Sequence, residues 1–121
     1  MAIGYAMIVG IDFDGTLVEQ VQYPCLTYKL KPNAKEVILR LSKDGFIFRL
    51  NTARTTWYRL PCILFIWKHK LPIETFLFNQ KVVADIYVDD RNLECDEIDW
   101  LKIEKILRGR NNVHCSKKNG D

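Results

Sequence analysis

The stretch Tyr5-Ala6-Met7-Ile8-Val9-Gly10-Ile11-Asp12-Phe13-Asp14-Gly15-Thr16 decides how this chain is read. Its first seven residues are apolar and partly β-branched, the pattern of a strand buried on both faces of a sheet. The run stops at two aspartates one residue apart, followed by a glycine suited to a tight, left-handed turn. An unpaired carboxylate in a low-dielectric interior is costly, so the acids belong at an open strand tip where a cation can meet them.

Working outward, strands and helices alternate. Asn33, with Glu36 three residues on, is placed to cap a helix whose apolar positions are Ala34, Val37, Ile38 and Leu41, and Gly45 closes it. Phe46 to Leu50 reads as a second strand ending at Asn51-Thr52. Thr56 to Leu71 reads as a helix with Pro61 in or near its first turn. Thr75 to Phe78 and Asp85 to Val88 read as two more strands, the latter ending at Asp89-Asp90. A last helix, about Asp96 to Arg108, should stop at Gly109. Residues 110–121 form a polar tail whose composition favours fraying or disorder. The expected architecture is α/β, a Rossmann-like three-layer sandwich with a mostly parallel sheet, whose ligands bind beyond the carboxyl ends of the strands. Three strand tips there carry unusual polar residues: Asp12 to Thr16, Asn51 to Arg54, and Asp89 to Arg91.

Composition limits what those tips can be doing. At 121 residues and 48% apolar, the chain has the size of one domain. The net charge of +3 is uneven, with six Lys/Arg against two acids from Leu101 onward, which permits an anionic partner. Cys25, Cys62, Cys95 and Cys115 are widely spaced without a CxxC, which argues against a zinc site or disulfide framework and fits a reduced, cytoplasmic setting. The longest apolar run, Cys62 to Trp67, is far short of the ~20 residues that cross a bilayer, so no membrane partner is expected. The N-terminus reads as a strand, with no signal peptide.

Asp12, Asp14, Thr52, Lys81, Asp89 and Asp90 gather at this edge in an order that resembles the four signature motifs of the haloacid dehalogenase superfamily. The resemblance runs from Ile8 to Arg91, about two thirds of the chain. It implies that Asp12 is a nucleophile that becomes an aspartyl phosphate. Asp14 would be the general acid and base, Thr52 a donor to a phosphoryl oxygen, and Lys81 a partner of Asp12 and the phosphate. Lys68 and Lys70 are the alternatives to Lys81. Asp89 and Asp90, with Asp12 and Asp14, would hold magnesium directly or through water. Gly15 and Thr16 would line the phosphate, and Arg54 and Arg91 would grip it or else form surface ion pairs. Asp14 further points to phosphatase or phosphotransferase chemistry, because members that dehalogenate or pump ions lack an aspartate there.

Physical chemistry explains why these residue types would be needed. A carboxylate with a reference pKa of about 3.9 is an ionised nucleophile at neutral pH. Three carboxylates and a phosphate dianion carry roughly −5, and each close charge pair is worth on the order of 4 kcal/mol at ~4 Å and an effective dielectric of 20. A hard divalent cation and a lysine would offset that repulsion.

Only 35 residues separate Thr16 from Thr52, too few for an inserted cap domain. The reading is a capless, single catalytic domain over residues 1–109 with a short flap at about 18–30. An open site of this kind admits a phosphorylated small molecule or a polynucleotide end, or is covered by another copy in a homo-oligomer. Trp57, Tyr58 and Trp67 read better as core packing than as stacking platforms. The alternative function is a nucleic-acid-binding or phosphate-binding module with little catalysis. The basic stretch Lys102 to Lys118 suggests it, but that stretch lacks interleaved aromatics. A phosphoacceptor receiver domain is disfavoured because its acidic pair precedes the phosphorylated aspartate.

Overall fold

In the computed structural model, residues 7–19, 28–78, 82–89 and 98–118 are described, with side chains as far as Arg110. The chain runs β1 (Ile8–Ile11), α1 (Ala34–Lys43), β2 (Ile47–Leu50), α2 (Thr56–Lys68), β3 (Ile73–Glu74), β4 (Ile86–Val88) and α3 (Trp100–Lys118). The four strands make one all-parallel sheet in the order β3-β2-β1-β4, an α/β arrangement compatible with a Rossmann-like three-layer fold. The apolar run of β1 lies inside the sheet, paired in parallel with β2 on one side and with β4 on the other. In register, Ile11 lies opposite Leu50 of β2 and Val88 of β4, so the polar residues that follow each of these strands emerge at one edge.

Alternation along the strands sorts the two sheet faces. Val9, Ile11, Phe48, Leu50, Ile73 and Val88 are buried and share one side by register. They join a core that includes Val37, Ile38 and Leu41 of α1 and Trp100, Ile103 and Leu107 of α3. Each such side chain contributes about 1.5–3 kcal/mol when fully buried. The rims of α1 and α3 are tied by Arg40 to Glu104 (2.8 Å) and Arg108 to Asp44 (2.7 Å). The other side carries Gly10, Arg49, Glu74 and Tyr87 in one cross-strand row. There the Tyr87 hydroxyl donates to the carbonyl of Val82.

Helix ends follow local chemistry, with some departures from expectation. Gly45 (φ 100°) ends α1 as expected: Gly45 N–H donates to the Ser42 carbonyl, and Phe46 N–H reaches back to that of Leu41. Asn33 stands at the start of α1, but its backbone is left-handed (φ 66°) and its side chain makes no cap bond, so the capping box with Glu36 does not form. A capping side chain reaches the first turn from an extended backbone, which Asn33 lacks. Pro61 is the sixth residue of α2, beyond the first turn.

Helix α3 begins at Trp100, where the Asp99 carboxylate accepts from Leu101 N–H (3.1 Å). It runs through Gly109 to Lys118, so the expected stop at Gly109 and the frayed tail give way to helix at least that far. One glycine costs about 1 kcal/mol relative to alanine in a helix, too little to end one by itself. Among the described residues no helix is long and apolar enough to cross a membrane.

Candidate active site

The DFDGT segment turns sharply out of β1. Gly15 takes φ 77°, and the Phe13 carbonyl collects the N–H groups of Thr16, Leu17 and Val18 at 3.1–3.3 Å. Phe13 is fully buried, so its two flanking aspartates face the open edge while it anchors the turn. Trp100 of α3, also buried, donates its indole N–H to the Thr16 carbonyl (3.0 Å) and fixes the far end of the turn. Beyond it, Glu19 N–H bonds the Lys29 carbonyl and Lys31 N–H that of Leu17, pinning both feet of the expected flap. Residues 20–27 of that flap lie outside the described residues.

Asp12 N–H donates to the Val88 carbonyl (3.0 Å), and Asn51 N–H to that of Ile11 (2.8 Å), extending both ladders by one step past the strands. Asp12 and Asp89 therefore sit at the tips of adjacent strands about 4.8 Å apart. The Asp12 carboxylate is oriented by the Phe13 N–H, which donates to Oδ1 at 2.8 Å. On the other side of β1, the Thr52 hydroxyl accepts from Arg54 N–H at 3.2 Å. A hydroxyl that accepts one bond keeps its proton to donate.

Asp14 is held by Arg54 in a two-point ion pair. The same guanidinium donates to the Tyr28 hydroxyl (3.0 Å) and the Tyr58 carbonyl (3.1 Å), and lies 5.4 Å from the ring centres of Phe13 and Tyr28. These bonds, those to Asp14 foremost, raise its pKa above the already high arginine range. Arg54 is thus engaged with the protein's own carboxylate at the position where the sequence suggested a phosphate grip.

Arg59 was not singled out by the sequence, yet it holds the segment from Thr52 to Arg54 in place. It is buried, and its guanidinium donates to the carbonyls of Arg54 (2.6 Å), Thr52, Phe76 and Phe78. That engagement also explains why β3 forms at Ile73–Glu74 and the expected strand at Thr75 to Phe78 does not: two of its carbonyls serve Arg59. A lone arginine within the largely apolar stretch from Thr56 to Trp67 was the available signal. Trp100 gave none, since an indole in a helix reads as ordinary packing.

The structure brings Asp12, Asp14, Gly15, Thr16, Thr52, Arg54 and Asp89 to one edge. Lys81, Asp90 and Arg91 lie outside the described residues. Among the described residues no group of three or more His, Cys, Asp or Glu side chains is arranged to hold a metal. Asp14, read as a metal ligand as well, has both carboxylate oxygens engaged by Arg54. Thr16 is fully buried, and its hydroxyl has no hydrogen-bond partner among the described residues. The aromatic residues expected to pack differ too, for Trp57, Tyr58 and Trp67 of α2 are all exposed.

The structure is similar to that of a conserved protein from Bacteroides thetaiotaomicron, with a TM-score of 0.65 and 24% sequence identity. The match covers 88% of this chain and 93% of that one. The likeness is one of fold. No protein-family model and no curated protein matches the chain.

Proposed function

We propose that this protein is a magnesium-dependent phosphomonoester hydrolase of the haloacid dehalogenase type that acts through an aspartyl phosphate on Asp12. The observation that carries this reading is the register of the central sheet, which sets Asp12 and Asp89 on neighbouring strand tips with Asp14 two residues beyond Asp12. Among the described residues the fully buried Thr16 hydroxyl has no hydrogen-bond partner, which supports a ligand near these acids, since an unsatisfied buried polar group costs ~1–3 kcal/mol. The oxygen-only donors at the edge suit a hard divalent cation, which Asp12 and Asp89 would hold together with Asp90. When bound, magnesium neutralises part of the charge that opposes attack.

The chain's own groups would act in two steps. An oxygen of Asp12 attacks phosphorus and the ester P–O bond breaks, while Asp14 gives a proton to the departing oxygen. Asp14 then takes a proton from water as that water attacks phosphorus, which breaks the bond to Asp12 and releases inorganic phosphate. The Thr52 hydroxyl donates to a phosphoryl oxygen throughout. Arg54 keeps Asp14 beside the turn; for the acid step one carboxylate oxygen leaves this fork, takes a proton from solvent and carries it to within about 2.6–3.2 Å of the leaving oxygen.

The test is release of nitrophenolate from p-nitrophenyl phosphate with and without magnesium, in the wild type and in Asp12→Asn. Loss on the order of 10³-fold or more is expected for the variant and a comparable loss on chelation. Activity that survives Asp12→Asn overturns the assignment of the nucleophile.

A further inference from the structure

A cleft of about 500 Å³ borders the candidate site, lined by Tyr28, Trp57, Leu64, Phe65, Lys68 and His69 among others. Two walls are shared with the site itself. The Tyr28 hydroxyl is 3.0 Å from Arg54 Nη1, and the Phe65 ring meets Phe13 edge-on with centroids 5.9 Å apart. Tyr28 closes this aromatic cluster, edge-on to Phe13 at 5.0 Å and to Phe65 at 5.7 Å. Phe13, against which both of these rings pack, lies between Asp12 and Asp14 in the chain.

Helix α2 is apolar nearly all round, a pattern that normally means burial on all sides. Here Trp57 is 73% exposed and Leu64 51%, both on the cleft. Exposed apolar surface continuous with a polar site marks ligand-contacting ground, and the cleft volume falls in the range of small-molecule sites.

The lining chooses among phosphate esters. It offers rings and aliphatic groups, with Lys68, His69 and the Tyr28 hydroxyl as its polar members. A sugar phosphate would press several hydroxyls against walls that cannot satisfy them. A planar aromatic ring can stack on an indole there, with Lys68 and His69 available to its polar edge. We propose that the cleft binds the base of a nucleoside monophosphate, with Trp57 as its stacking platform. The placement of the phosphate at Asp12 rests on the hydrolase reading, whereas the ring site stands on the cleft alone.

Calorimetric titration of adenosine monophosphate, adenosine and ribose phosphate tests this, using Asp12→Asn for the two phosphates and wild type for adenosine. Adenosine monophosphate should bind about tenfold or more tighter than ribose phosphate, and adenosine should compete with it. Trp57→Ala should remove that advantage and leave ribose phosphate binding unchanged. The side chain is largely exposed, so its truncation leaves the core intact. Equal affinities for the two phosphates, or a Trp57→Ala variant that binds adenosine as wild type does, overturn the proposal. So does a Trp57→Ala variant that changes only a monomer–dimer equilibrium in sedimentation, since a second copy would then own the surface. Adenosine binding that depends on Trp57, without phosphate release from adenosine monophosphate by wild type, supports the ring site and rejects the hydrolase reading separately.

Discussion

Arg54 grips Asp14 from 40 residues away, with Nη2 donating to Oδ1 at 2.7 Å and Nε to Oδ2 at 2.8 Å. The fork matches the carboxylate in both position and plane, so Asp14 is aimed before any substrate arrives. Both partners are about three-quarters buried, which limits screening by solvent.

Arg54→Lys keeps the charge and loses the fork. With Asp14 free to shift by ~1 Å, kcat on an aryl phosphate should fall about a hundredfold with little change in KM. An unchanged kcat in steady-state assays would show that aiming Asp14 is not what Arg54 does.

Trp100 ties α3 to the DFDGT turn through the Thr16 carbonyl. Trp100→Phe keeps most of the packing and strands that carbonyl, at a cost of ~1–3 kcal/mol. Trp100→Ala empties a fully buried site and costs about 3–5 kcal/mol. Urea denaturation should rank the three proteins in that order; equal midpoints for wild type and Trp100→Phe would make the hydrogen bond unimportant.

Gly10 leaves room for Tyr87, because a Cβ at that position would sit 2.7 Å from Tyr87 Cδ1. The ring has little freedom to retreat, since its hydroxyl donates to the Val82 carbonyl and accepts from Ala84 N–H. Gly10→Ala should destabilise the fold by about 1–3 kcal/mol. The same change made on a Tyr87→Ala background should cost less, and a double-mutant cycle that shows no coupling would remove the steric explanation.

Cys62 is fully buried, and burial pushes its thiol pKa up to about 12, with Arg54 acting in the opposite direction. The unfolded thiol ionises near about 8.5. The stability this contributes is therefore complete below that pH and is lost as pH rises towards the folded value. The stability difference between wild type and Cys62→Ala, followed by urea midpoints, should shrink between about pH 9 and 12. With Cys25, Cys95 and Cys115 changed to serine, the folded protein should resist iodoacetamide at mildly alkaline pH and react once unfolded. Prompt labelling of the folded state would contradict the burial.

The strand tips were legible because β1 and β4 are apolar runs that end in acids, and a buried strand cannot continue through Asp12 or Asp89. The turn at Gly15 and the close of α1 at Gly45 were legible for a similar reason: local backbone geometry demands glycine. What sequence could not supply were pairings across long separations. Nothing near Asp14 marks Arg54 as its partner, and nothing in Phe76 or Phe78 reveals that Arg59 will take their carbonyls. The shift of β3 and the exposure of Trp57 both belong to that class, since each depends on what tertiary neighbours occupy and not on the residue's own preference.

The bond from Trp100 to Thr16 spans 84 positions of the chain. On the ribosome, β1 is made early, but the DFDGT turn gains this bond only once α3 has emerged. Nascent chains released before that point would carry every acidic residue from the first motif and still lack its finished shape. The turn's hydrogen bonding is thus completed only after the last helix has been translated.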